Sequence, residues 1–257
     1  QEAAGLEPAG RLPRPERDNV QRQLGELARL QNALSEILVL NFFMTLEMEI
    51  KVNEGSYSSV AGILMFFLTR SGMEVTGGRN VSIDTNGAIV TNYDPKNPAL
   101  VPGIEYSFRR PGADELKTVR YFSLDVSDGV LKKKPNFVKF ARALPDFVSL
   151  AKSASFLMHK DFFSTVRGLV LEKSRFVLQD DSGVPLRFYL NADWDVDYYG
   201  FYERPIALFS NYFQKELLTN MKAKSTGALP FSYGYDYLKE RSNLFFAKKK
   251  SQRTETK

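Results

Sequence analysis

The chain has a single histidine, His159, and it closes the apolar run Ser155-Phe156-Leu157-Met158. An imidazole can act as a general base only if a nucleophile and an orienting acid come within reach of it. Three polar clusters contain such groups: Ser123 to Asp128, Lys152 to Ser155, and Asp180 to Ser182. One reading is therefore a hydrolase with His159 as base and Asp180 or Asp181 as orienting acid or electrostatic partner. Lys152 or Ser153 would then be neighbour or nucleophile, and Asp128 a further acid lining the same pocket. The competing reading places His159 near a helix C-terminus, where it meets terminal carbonyls, and makes Asp180-Asp181-Ser182-Gly183 a turn between strands at Arg175–Gln179 and Val184–Leu190. Aspartate, serine and glycine suit turns through local side-chain bonds and positive φ. Adjacent carboxylates on a turn also make a poor acid–base pair, since neither is desolvated.

A second candidate alternates acids with bulky residues: Asp193, Asp195 and Asp197 with Trp194, Val196 and Tyr198, followed by Tyr199. In a strand, three carboxylates share one face about 7 Å apart. Such a strip suits a divalent cation, or a glycan with Trp194 and Tyr199 as stacking platforms. It equally suits a solvated edge strand that resists aggregation. Asp125-Val126-Ser127-Asp128-Gly129 hints at a calcium loop, but its glycine comes one position early and no bidentate glutamate follows at the required distance. Ser149 and Lys152 match the spacing of acyl-serine enzymes without the partner motifs. No phosphate loop, dinucleotide fingerprint or nucleophile elbow occurs. With no cysteine and one histidine, thiolate metal sites and two-histidine zinc motifs are excluded. No metal or cofactor is expected.

The elements that must position these groups follow from periodicity. Over 257 residues, 43% hydrophobic and 25% charged content is that of a folded chain able to bury a core. The net charge is +5, but the last ten residues carry five positive charges and one negative. The fold itself is nearly neutral, so nucleic acid is not an expected partner. The longest apolar runs, 60–68 and 37–40, fall short of the roughly 20 residues of a membrane span. Val20, Leu24, Leu27, Leu30, Leu34, Ile37 and Leu38 form a helical stripe after a cap at Asp18 or Asn19. A second helix starts at Ser56 or Ser58, runs through 60–68 and ends before Gly72; being apolar nearly all round, it is expected to be central. The period then changes to two, predicting strands at 73–76, 79–84, 88–93, 104–110 and 116–126 with hairpin-length links. Pro135 and Pro145 sit at first-turn positions of helices, Asp161 caps another carrying Val166, Leu169 and Val170, and Pro205 opens one through Met221. Strands are expected at 194–199, 231–237 and 243–247. The predicted fold is α+β: an antiparallel sheet of several hairpin-linked strands packed with about five to six helices. Residues 1–16 read as an irregular lead-in, 17–247 as a single domain and 248–257 as a basic flexible tail.

Six segments in order, YFSLDVSDG (121–129), KSASFLMH (152–159), QDDSGVP (179–185), YGFYERPI (199–206), YFQKELL (212–218) and LPFSYGY (229–235), resemble an uncharacterised family of exported bacterial proteins. GLEPAG (5–10) and FLTRSG (67–72) are similar too. The resemblance implies a periplasmic or secreted location, where the sequence itself also allows the cytoplasm, and a beginning upstream of this chain. It carries no activity. Of the acidic strip it includes only Trp194, with Gly200, Tyr202 and Pro205 beyond it. The leading expectation is a non-catalytic binding or envelope-associated module, its partner an envelope component or a glycan. A hydrolase centred on His159 and Asp181 is the alternative, and glycan or cation binding through Asp193–Tyr199 the second.

Overall fold

In the computed structural model the chain divides into two compact units, Gln1–Ala143 and Leu144–Lys257. The structure describes residues 2–5, 60–91, 94, 96–234 and 242–250, with isolated positions 24, 25, 28 and 31. The fold is α+β, with one sheet in each unit. The expected single domain over 17–247 spans both units, and the long helix expected near 18–38 lies outside the described residues.

The first unit holds β1 (Glu2–Gly5), α1 (Val60–Arg70), β2 (Glu74–Ile83), β3 (Ile89–Val90), β4 (Val101–Arg109), β5 (Lys117–Ser123), α2 (Asp128–Lys133) and α3 (Asn136–Ala143). Its sheet runs β1-β5-β4-β2-β3, antiparallel except for the parallel pair β1–β5. The two short strands read at 73–76 and 79–84 are one strand, with a register shift between Val75 and Gly77. That shift is how a chain absorbs an extra residue without leaving the sheet. Ile104, Tyr106 and Phe108 alternate onto one face, where Val119, Tyr121 and the start of α1 join them. The Tyr106 hydroxyl donates to the Ala61 carbonyl at 3.0 Å. Only Val60–Ile63 of α1 are buried, so this helix is less central than its composition suggests. Gly72, at φ 75°, ends it as the sequence predicts.

The opposite face carries a charge ladder. Glu2, Arg120, Glu105 and Arg79 are directly paired across β1, β5, β4 and β2. Arg120 bonds Glu2 at 2.7 Å and Glu105 at 2.5 Å, and Arg79 bonds Glu105 at 2.7 Å. Alternating sign makes every cross-strand neighbour attractive. Glu105 is only 4% exposed, yet two guanidinium groups hold its carboxyl below the usual range against the opposing effect of burial. Glu2–Gly5, inside the expected irregular lead-in, is a strand because this ladder and the β5 backbone receive it.

The second unit holds β6 (Phe147–Ala151), α4 (Ser164–Lys173), β7 (Ser174–Gln179), β8 (Trp194–Gly200), α5 (Lys215–Lys224) and β9 (Asn243–Lys249), with 3₁₀ turns at Ala154–His159, Asp161–Phe163, Leu186–Phe188 and Ala207–Tyr212. The sheet runs β6-β7-β9-β8; β6 and β7 are parallel, joined through α4, and the rest is antiparallel. Ala151, Val177, Phe245, Ala247, Trp194 and Tyr198 face a core closed by Leu217 and Met221 of α5. The other face shows Val148, Leu150, Phe176, Leu178 and Phe246, with Phe176 stacked on Phe246 at 5.4 Å.

Several expectations are corrected here. Pro145 leads into β6 rather than a helix, because 147–151 pair with β7. Asp161 begins a 3₁₀ turn instead of capping α4. The helix expected from Pro205 is broken at Phe213, which is extended at φ −56° and ψ 131°. Residues 231–234 are irregular, and 235–237 lie outside the described residues. Lys248 and Lys249, assigned to a flexible tail, belong to β9. No helix among the described residues is long and apolar enough to cross a membrane.

Candidate functional site

Strand register assembles a polar cluster at one end of the second sheet. β6 and β7 run parallel with Ala151 beside Gln179, so Lys152 and Asp180 leave the sheet side by side. β9 runs antiparallel to β7 with Gln179 beside Phe245; two residues further on, Asp181 meets Asn243. The Asp181 N–H donates to Asn243 Oδ1 at 2.9 Å, and Asn243 Nδ2 donates back to Asp181 Oδ1 at 3.2 Å.

The segment 180–183 is a turn, with Gly183 N–H donating to the Asp180 carbonyl at 3.3 Å, but it is not a surface hairpin. Asp180 and Ser182 have no exposed surface and Asp181 is 8% exposed. The expected strand at 184–190 is a 3₁₀ turn because buried glutamines take its backbone bonds. Val184 N–H donates to Gln179 Oε1 at 3.2 Å and Leu186 N–H to Gln214 Oε1 at 2.8 Å. Gly183 serves close approach rather than positive φ: a Cβ there would meet the Ala151 carbonyl oxygen at 2.6 Å and Gln179 at 2.7 Å.

Asp180 accepts from Lys152 Nζ at 2.8 Å, and its other oxygen accepts from Ser182 N–H at 3.0 Å and Ser182 Oγ at 2.5 Å. The Lys152 ammonium also lies 5.0 Å from the centre of the Tyr233 ring. Burial, reinforced by the charge of Asp180, pushes the Asp181 carboxyl up to about 7, because desolvation penalises the ionised form. The sequence reading that neither aspartate is desolvated is corrected by this burial.

His159 meets Asp181, but through the main chain. Its Nε2–H donates to the Asp181 carbonyl at 3.0 Å, alongside Gln214 Nε2 at 3.0 Å. A carbonyl only accepts, so the tautomer is fixed with the proton on Nε2. Burial lowers the imidazole to about 4, outweighing the bond to the carbonyl. Aromatic rings hold its plane: Phe156 and Tyr212 stand edge-on to it at 5.2 and 5.4 Å, and stack on each other at 5.2 Å. To reach that stack the backbone adopts positive φ at Ser155 (52°) and Phe156 (53°), a conformation costing about 1–2 kcal/mol per non-glycine residue.

Ser153 joins through its backbone and hydroxyl. Its N–H donates to Ser182 Oγ at 3.4 Å, and its Oγ accepts from Met158 N–H at 3.1 Å. Lys152, His159, Asp180 and Asp181 are thus brought together. Asp128 belongs to the other unit, where it stands in the first turn of α2. Sequence reasoning missed Gln179, Gln214 and Asn243; each is a buried amide next to apolar residues, a pattern with no sequence signal of its own.

The acidic strip falls on edge strand β8. Asp193, Asp195 and Asp197 are exposed, while Trp194 and Tyr198 turn into the core. Asp195 lies across from Lys248 and 3.3 Å from Lys250 Nζ. Trp194 packs against Tyr189 at 5.1 Å instead of offering a sugar platform. Tyr199, half-buried, alone shares the face of the aspartates. Among the described residues no cluster of three metal-ligating side chains occurs. No family model, curated protein or solved structure matches this chain.

Proposed function

We propose that the chain is a non-catalytic binding or assembly protein of the bacterial envelope. The observation that carries the reading is the self-satisfaction of its most reactive-looking cluster. Asp180 accepts from Lys152 and Ser182, Asp181 pairs with Asn243, and His159 and Gln214 both donate to the Asp181 carbonyl, with Asp180 and Ser182 wholly buried. Such a network rigidifies and specifies a core. The envelope location rests on the resemblance of the six ordered segments.

A hydrolase is the second reading, favoured by the Lys152–Asp180–Ser182 chain of hydrogen bonds. One experiment separates the two. A fluorophosphonate probe is incubated with the full chain, alongside hydrolysis of nitrophenyl esters. The expected result is no covalent labelling and no turnover above buffer. Labelling at Ser182 or Ser153 that disappears in Lys152→Met or His159→Gln would overturn the proposal. Fractionation of cells expressing the natural gene should place the protein outside the cytoplasm.

A further inference from the structure

We infer that β6 joins the β6 of a second copy, antiparallel about a twofold axis at Ser149, making one continuous eight-stranded sheet. The inference rests on the assembly reading above and names its partner.

The two edges of the second sheet differ in kind. Edge strands expose unpaired N–H and C=O groups, and proteins protect them with charge, proline, bulges or covering elements. β8 follows that rule with Asp195 and Asp197, answered by Lys248 and Lys250. β6 does not: Phe147-Val148-Ser149-Leu150-Ala151 has no charge and no proline. Among the described residues nothing pairs with its outer edge. Val148 is 60% and Leu150 66% exposed, the only exposed large apolar side chains that the described strands carry.

The strand is complementary to itself. With Ser149 across from Ser149 of the second copy, Val148 meets the partner's Leu150, and both pairs are covered together. The same register sets Asp146 across from the partner's Lys152 at each end, each keeping the ion pair it makes in its own chain, to Lys173 at 3.0 Å and to Asp180 at 2.8 Å. Opposite charges therefore frame an apolar centre, and no like charges meet. The outer-face band of Phe246, Phe176, Leu178 and Leu150 would continue unbroken into the second copy. A five-residue strand pair buries less than the roughly 1,200–2,000 Å² of a stable interface. The dimer is therefore weak, half-dissociated at about 100 μM.

The full chain tests this directly. Sedimentation from about 5 to about 500 μM, bracketing that constant, should show the average mass climbing from 29.2 kDa toward twice that value. Leu150→Lys, which is already solvent-exposed and so leaves the fold intact, should hold it at one copy with an unchanged melting temperature. The natural chain has no cysteine, so Ser149→Cys offers a single thiol. It should form a covalent dimer on mild oxidation, where Asp197→Cys on the opposite edge does not. A chain that stays monomeric to the highest concentration overturns the inference. So does a dimer indifferent to Leu150→Lys, or equal cross-linking at both edges. All three results leave the probe-labelling test of the non-catalytic reading untouched.

Discussion

At Asp180 a carboxylate with no exposed surface takes hydrogen bonds from Lys152 Nζ, Ser182 N–H and Ser182 Oγ. Removing one partner of a buried pair leaves the other charge uncompensated, which costs far more than the pair itself contributes. The Lys152 side chain is itself 30% exposed, so Lys152→Met should destabilise the second unit by about 1–3 kcal/mol in urea denaturation. Adding Asp180→Asn to that variant should recover most of the loss, because the orphaned charge disappears. Gly183→Ala should cost about 1–3 kcal/mol by overpacking, since the new methyl meets backbone at Ala151 and the Gln179 amide. If positive φ were the reason for glycine, Gly183→Asn would be tolerated better than Gly183→Ala. Here the larger residue should be worse.

Among elements, the ladder Glu2–Arg120–Glu105–Arg79 ties four strands in register. Arg120→Met removes the partner of Glu2 and one of two partners of Glu105. The expected outcome is about 1–3 kcal/mol of lost stability and faster amide exchange at residues 2–5, read by mass spectrometry. β2, β4, β5, β8 and β9 were legible in the sequence because each places apolar residues at alternate positions, such as Ile104, Tyr106 and Phe108 of β4 or Trp194, Val196 and Tyr198 of β8, and Gly72 marked the end of α1. The segment 184–190 was not. It has the right apolar residues, but Gln179 and Gln214 take the backbone bonds of Val184 and Leu186, and a partner as distant as Gln214 leaves no local trace. The helix from Pro205 failed for a related reason: Gln214 N–H bonds the Tyr202 hydroxyl at 3.0 Å, starting α5 anew after the break. The site was half legible. The residue types of Lys152, His159, Asp180 and Asp181 were visible, but the burial that turns a turn into a core was not, because it depends on register among three distant strands.

For the whole molecule, two buried groups set opposing pH dependences. Asp181 is raised to about 7, so between its unfolded value near 4 and pH 7 the unfolded chain is ionised while the folded one holds its proton; stability falls as pH rises through that window. His159 is lowered to about 4, so between pH 4 and about 6.5 the unfolded chain binds the extra proton, and stability rises with pH. Each contributes a few kcal/mol at most, and in the natural chain they largely cancel between pH 4 and 6.5. Asp181→Asn should expose the rise and His159→Gln the fall, in melting temperatures measured across that range. The second unit carries its own sheet and core. A fragment of residues 144–257 should therefore unfold in one cooperative transition with the same pH behaviour.

Of the strands in that unit, β9 comes last in the chain but stands between β7 and β8, with Phe245 and Ala247 wholly buried. During synthesis, a ribosome that has not yet released Asn243–Lys249 holds a chain whose other strands lack the piece that joins them. Chains truncated before Asn243 should yield material that aggregates or is degraded, whatever the state of the first unit. The cohesion of this half of the protein therefore waits on its central strand.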